Sequence, residues 1–213
     1  MNEPAPSFFS QKYNDIYFSH ADPEAEKQFV FVEANRIAER MASAADNFTV
    51  AELGFGFGLN YALTLHAAKQ ADCQHRLRYF SVEENFPEAP QAELLASKLK
   101  ICRDEFSEVW PSPPAPLSQR VRVCDVLTFL REAEFTADAW YFDGFSPAKN
   151  PDMWSAEVFA LAFAHTRPGG TFSTYSSAGW VRRNLEAAGF VVEKVPGFAS
   201  KREMLRGYRR TEK

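Results

Sequence analysis

A chain of 213 residues, 46% hydrophobic and 15% aromatic, can bury the core of one domain, and its net charge of −4 argues against a nucleic-acid surface spread over the whole molecule. The charge is uneven: Arg182 to Lys213 carry nine Lys/Arg against four Asp/Glu, so a basic end that can steer a polyanion joins an acidic body. Cys73, Cys102 and Cys124 form no C-x-x-C pair, the four histidines are scattered, and neither a leader-like start nor a membrane-length apolar run is present; a cytoplasmic protein without disulfides, metal or membrane contact is expected.

Residues 1–24 are turn-rich and hold the aromatic cluster Asp15-Ile16-Tyr17-Phe18-Ser19. Residues 24–42 join the apolar run Phe29-Val30-Phe31-Val32 to a helical pattern through Ile37, Ala38 and Met41. Beyond them, apolar runs predict strands near 48–53, 78–83, 120–124, 138–142, 170–175, 190–195 and 203–208. Helices are expected near 59–70, 88–100, 126–132, 152–164 and 178–188. This alternation implies a mostly parallel sheet with helices on both faces. The last two strands are joined only by Pro196-Gly197-Phe198-Ala199-Ser200, a link short enough for an antiparallel pair. Trp110-Pro111-Ser112-Pro113-Pro114-Ala115-Pro116 reads as a stiff surface connection, and Arg167-Pro168-Gly169-Gly170-Thr171 as a structural turn entering a strand. The expected organisation is an N-terminal extension over 1–45, packed on a domain over 46–213.

The densest signal is Thr49-Val50-Ala51-Glu52-Leu53-Gly54-Phe55-Gly56-Phe57-Gly58-Leu59-Asn60. A buried strand runs into a glycine turn, and a helical pattern starts at Leu59. Glycines at alternate positions let the backbone approach a ligand that a Cβ would hold off. A strand–glycine turn–helix unit is where an open α/β sheet binds an adenosine-containing cofactor. The G-x-G-x-G spacing departs from the dinucleotide fingerprint, which turns the reading from NAD or FAD toward S-adenosyl-L-methionine, a cofactor without a pyrophosphate. The plainer reading is an ordinary turn of small residues, which three alternating glycines make the weaker choice. With the element order, this predicts an α/β, Rossmann-like class I methyltransferase fold: a seven-stranded mostly parallel sheet with an antiparallel C-terminal hairpin.

Ligands of such sheets bind at the carboxyl ends of the strands. The second strand ends in Val82-Glu83-Glu84, where a carboxylate can accept from both ribose hydroxyls of an adenosine. The third ends in Cys124-Asp125; this acid can accept from an adenine amino group or simply cap the next helix. The fourth runs into Asp143-Gly144-Phe145-Ser146-Pro147-Ala148-Lys149-Asn150-Pro151-Asp152-Met153-Trp154. The order acid, aromatic, proline is similar to the Asp-Pro-Pro-Tyr type loop of amino-group methyltransferases. A carboxylate there can orient an amine and take up its proton, and Phe145 can stack on a base. Ser176 to Arg183 open a helix whose Arg182 and Arg183 can meet phosphates, and Lys201 and Arg202 lie in the final hairpin.

Together Asp15–Ser19, Glu52–Asn60, Asp143–Trp154, Ser177–Arg183 and Lys201-Arg202-Glu203-Met204 resemble, in family order, the methyltransferase domain of the MnmC family and its stand-alone MnmD form. The resemblance implies methylation of the primary amine of 5-aminomethyl-2-thiouridine at the tRNA wobble position, with S-adenosyl-L-methionine as donor. It implies that Glu52, Gly54, Gly56, Gly58, Asn60, Glu84, Asp125 and Asp143 surround the cofactor, with Asp125 at its adenine and Glu83 an alternative to Glu84. Asp143 and Phe145 would act on the amine, and Phe145, Lys149, Trp180, Arg182, Arg183, Lys201 and Arg202 would face tRNA. Asn85 stands where the family has Lys. No second G-x-G-x-x-G unit for an FAD-dependent oxidase follows, so a stand-alone enzyme or an excised domain is expected, with the oxidase a separate partner or a fused domain outside this chain. The alternatives are a class I methyltransferase acting on a small-molecule or protein amine, and a non-catalytic cofactor-binding subunit.

Overall fold

The computed structural model describes residues 8–18, 22–110 and 121–211; the expected connection over 111–116 and the chain's first residues lie outside them. β1 (Phe9–Ser10) and β2 (Asp15–Ile16) pair antiparallel as a small hairpin. α1 (Pro23–Lys27) follows, capped by Asp22, which accepts from Ala25 N, with Pro23 in the first turn where a missing N–H is harmless. The helix widens into a π-turn over Gln28–Glu33. Arg36, at φ 52°, separates it from α2 (Ile37–Ala42).

The main sheet is built from β3 (Phe48–Leu53), β4 (Leu77–Val82), β5 (Val121–Arg122), β6 (Ala137–Phe142), β7 (Thr166–Thr174), β8 (Val191–Val195) and β9 (Met204–Tyr208). Between them run α3 (Leu59–Gln70), α4 (Ala89–Lys98), α5 (Arg103–Val109), α6 (Val126–Arg131), α7 (Ala156–Ala164) and α8 (Gly179–Ala188). The strand order is β5-β4-β3-β6-β7-β9-β8. The first five strands in that order pair in parallel, and β9 runs antiparallel between β7 and β8. The expected seven-stranded sheet with its closing antiparallel hairpin is therefore present.

β3 is buried along its whole length, as a central parallel strand covered on both faces must be. Alternate residues feed two cores. Val50, Tyr79 and Tyr141 pack with Phe31, Met41 and Leu63 on one face; Leu53, Trp140 and Phe142 pack with Phe129, Phe159 and Leu185 on the other. Leu53 is level with Val82 on one side and Phe142 on the other. The bonds continue past the strand ends, with Gly54 N donating to Val82 O and Asp143 N to Leu53 O. Gly54, Glu83 and Asp143 thus stand side by side at the ligand edge.

Four expectations need correction. The helix near 88–100 ends at Lys98, and α5 follows it. Buried Glu24 of α1 accepts from the N–H groups of Lys100, Ile101 and Cys102 at 2.6, 2.8 and 3.0 Å, which stops one helix and opens the next. The helix near 152–164 is a 3₁₀ turn over Pro151–Trp154, then α7 capped by Ser155. The turn expected at Arg167–Thr171 lies inside β7. The pairing there jumps from Ala137↔Thr166 to Ala139↔Thr171, so the extra residues bulge, with Gly169 at φ +79°. The strand expected near 120–124 pairs only over Val121–Arg122.

Glu24→Ala strips three backbone donors of their acceptor. Denaturant unfolding is expected to show a loss of about 2–4 kcal/mol, the scale of buried donors left unpaired. An unchanged midpoint would mean that the α4–α5 link does not depend on this carboxylate.

Candidate active site

A cavity of about 590 Å³ opens at the carboxyl edge, within the size range of small-molecule sites. The glycine turn over 54–57, the strand-end acids and the loop over 143–146 line it, and residues of 12–18 with Glu26 and Lys27 cover it. A Cβ on Gly54 would stand 2.6 Å from the Asp143 backbone oxygen at φ +94°, so only glycine lets the ends of β3 and β6 meet. Gly56 faces the cavity, and nothing lies nearer its missing Cβ than the Tyr17 ring at 3.6 Å. A side chain there would fill space a ligand can use. Gly58 is not in the lining, and a Cβ there would meet the Phe55 ring at 2.6 Å.

The two acids after β4 have different partners. Glu83 is buried and accepts from Gly56 N and Asn85 N, each at 2.9 Å; burial raises its pKa. Glu84 is exposed and accepts from Lys12 Nζ at 2.7 Å and Tyr13 Oη at 2.8 Å, and the Lys12 bond holds its pKa below the ordinary value. Asp125 lines the cavity and also caps α6, accepting from Thr128 N at 3.0 Å and Thr128 Oγ1 at 2.5 Å.

Asp143 is the centre of a buried polar chain. Its side chain is 9% exposed, and Lys27 Nζ spans both oxygens at 2.6 and 2.5 Å. Asn60 Nδ2, from the first turn of α3, donates to Asp143 Oδ2 and to Glu52 Oε1, both at 2.7 Å. Glu52 is fully buried and also accepts from Ser81 Oγ at 2.9 Å. Glu52 and Asn60 stand behind Asp143, outside the cavity lining. Burial raises the pKa of Asp143 against the opposing pull of Lys27 and Asn60. Burial, then the Asp143 charge, push Glu52 up to about 8.

Lys27 is the central site residue that sequence reasoning missed, alongside Lys12, Tyr13, Glu26 and Tyr175. Pro23-Glu24-Ala25-Glu26-Lys27 looks like a solvated charged helix. The available signal was the apolar run from Phe29, which has to face the core and turns the end of α1 inward with it.

The loop after β6 is fixed from three sides. Tyr175 Oη donates to Gly144 O at 2.8 Å, Trp154 Nε1 to Phe145 O at 2.9 Å, and Ser146 N to Asp15 Oδ2 at 2.9 Å. Tyr13 stacks on Phe145 at 4.5 Å between centroids, and Tyr17 meets it edge-on at 4.9 Å. A base stacking on that face of Phe145 has to displace Tyr13.

A model of the S-adenosyl-L-methionine-dependent methyltransferase family matches residues 105–210. The tRNA 5-methylaminomethyl-2-thiouridine biosynthesis bifunctional protein MnmC of Chromohalobacter salexigens is 41% identical over 217 residues, covering 93% of this chain and 31% of that protein. Its namesake from Nitrosospira multiformis is 40% identical, covering 93% of this chain and 35% of that protein. The crystal structure of MNMC2 from Aquifex aeolicus matches with a TM-score of 0.77 at 25% identity, over 96% of this chain and 67% of that one. Over nearly its whole length the chain is similar to these MnmC proteins. It spans about a third of the length of the curated MnmC relatives it matches. Its sheet is that of the class I S-adenosyl-L-methionine-dependent methyltransferases.

The residues expected to face tRNA are dispersed. Lys201 enters the cavity, donates to Glu26 Oε1 at 2.8 Å and lies 4.7 Å over the Tyr175 ring. Lys149, Arg182, Arg183 and Arg202 are exposed, Trp180 is half-buried, and none of these five lines the cavity. Arg182 pairs with Glu186, Lys194 with Glu203 and Arg206 with Glu193, so the basic end is partly neutralised. Among the described residues no three His, Cys, Asp or Glu are grouped to hold a metal, and no helix is long and apolar enough to cross a membrane.

Glu52 holds its proton more tightly folded, at about 8, than at its ordinary 4.5. Its contribution to stability is full below about pH 4.5 and is lost as pH rises through about 8. Glu52→Gln, which mimics the protonated form, should flatten the fall in melting temperature between pH 5 and 9 and raise it at the alkaline end. A slope equal to that of the wild type would refute the shift.

Proposed function

We propose that the chain transfers the methyl group of S-adenosyl-L-methionine to the primary amine of 5-aminomethyl-2-thiouridine at the tRNA wobble position, giving 5-methylaminomethyl-2-thiouridine. The observation that carries this reading is Asp143, a buried carboxylate in the cavity that already holds a primary ammonium, that of Lys27, at 2.5 Å. The MnmC relatives, named for 5-methylaminomethyl-2-thiouridine biosynthesis on tRNA, support the choice of amine.

The residues present fit the cofactor. Gly56 leaves a cradle that a Cβ would fill; of the other lining residues, Glu84 or Glu83 would accept from the ribose hydroxyls and Asp125 from the adenine amino group. Bound there, the cofactor would supply a sulfonium methyl to the amine lone pair, its sulfur keeping the electron pair of the broken C–S bond. Asp143 orients the amine and takes up the proton its product sheds. The loop held by Tyr175, Trp154 and Asp15 keeps Asp143 in place, so positioning is what the protein contributes. The described residues of the extension over 1–45 serve as a cover for a domain over 46–213. Lys149, Trp180, Arg182, Arg183 and Arg202 contact tRNA in the cytoplasm, after another domain or protein has exposed the aminomethyl group.

Label from methyl-labelled S-adenosyl-L-methionine is expected to enter tRNA bearing wobble 5-aminomethyl-2-thiouridine, and not tRNA already fully methylated. Asp143→Ala should cut the rate by about 10²-fold or more, the scale of a lost acid–base group. Equal labelling of both pools, or of neither, would reject the wobble-amine assignment.

A further inference from the structure

The Lys27–Asp143 pair poses a chemical problem for the reading above, on which this inference rests. An amine attacks only when neutral, yet a lone carboxylate beside it favours the ammonium form. A carboxylate has about four acceptor sites. Lys27 uses one on each Asp143 oxygen and Asn60 a second on Oδ2, which leaves one on Oδ1. The other titratable groups around the pair are ion-paired, hydrogen-bonded or held neutral. Glu26 is matched by Lys201, Asp15 is bound to Ser146 N, Tyr175 keeps its phenol proton because burial raises it, and Glu52 is pushed up to about 8. The rings of Phe18 and Phe31 flank Lys27 Nζ at 5.8 and 5.2 Å and keep water from replacing it.

We propose that Lys27 is a positioning residue of the acceptor site: its ammonium cancels the charge of Asp143, so that the incoming amine can bond to the free site on Oδ1 while staying neutral. Asp143 keeps its orienting role but no longer stabilises an ammonium. The cation is as necessary as the anion, because either alone would bind the wrong protonation state or fail to orient the right one. Lys27 also ends α1, so the N-terminal segment is part of the acceptor site and not only its cover.

The test is the pH profile of kcat/KM on aminomethyl-bearing tRNA for the wild type, Lys27→Met, Lys27→Gln and Lys27→Arg. Met and Gln should move the acid limb up by about 1–3 units, the effect of one charge at this range. The loss at neutral pH, about ten-fold or more, should be recovered in alkali. Arg, which keeps the charge, should restore the wild-type limb. Gln separates charge from hydrogen bonding, since it can still donate to Asp143. A second readout needs neither cofactor nor tRNA: Lys27→Met should lose more melting temperature at pH 8 than at pH 5, and adding Asp143→Asn should remove that difference. Unmoved limbs in Met and Gln, or faster turnover once Lys27 is gone, would overturn the proposal while the methyltransfer reading stands. No turnover by the wild type would overturn both.

Discussion

A carboxylate buried at the end of a parallel strand has to be neutralised, and the site of this chain is arranged around that requirement. Asp143 is withdrawn from water, and an uncompensated charge there would cost several kcal/mol. Lys27 supplies the counter-charge and Asn60 a third bond. Neither partner lies on the strand that carries Asp143. The N-terminal segment and α3 must therefore be in place before the strand end is tolerable, which couples the site to the packing of both elements.

α1 is only five residues long, yet three of its side chains are buried and charged. Glu24 caps the α4–α5 link, Glu26 pairs with Lys201 from the hairpin loop, and Lys27 pairs with Asp143. So short a helix has little stability of its own. It is held by these three attachments and by Val30, Phe31 and Val32 of the π-turn, which enter the same core as β3 and α3. Removing one member of such a buried pair costs about 3–5 kcal/mol because the other is left behind, so α1 ties three separate loops to one another.

Much of the sheet was legible because buried parallel strands are short apolar runs, and the glycine turn was legible because its spacing has a direct steric meaning. The acids at the strand ends could be found by position. Their partners could not. Lys27 meets Asp143 across 116 positions and Glu24 meets Cys102 across 78, and nothing local in either segment announces the other. α5 did carry a signal, with Asp104 and Glu105 in its first turn and Phe106 and Val109 on its buried face. A carboxylate inside the wholly buried strand β3, Glu52, was likewise a visible clue to a polar chain beneath the cavity. The break inside β7 was misread because Pro168, Gly169 and Gly170 signal a turn, and the bulge that accommodates them needs β6 as its partner.

The cavity has two covers of unequal strength. The β1–β2 hairpin is attached through Lys12 and Tyr13 to exposed Glu84, through Asp15 to Ser146, and by the stack of Tyr13 on Phe145. The Lys12–Glu84 pair is about half exposed, and such pairs contribute roughly 0–1 kcal/mol. The aromatic pair adds about 0.5–1.5 kcal/mol beyond its burial. α1, by contrast, is fixed by buried charges. A ligand that has to displace a cover therefore meets least resistance at the Lys12 and Tyr13 side chains, because Phe8, Tyr17 and Phe18 pack the rest of this segment on Phe57. That same movement frees the Phe145 face for a base and the Glu84 carboxylate for a hydroxyl donor, while Lys27 and Asp143 stay where they are.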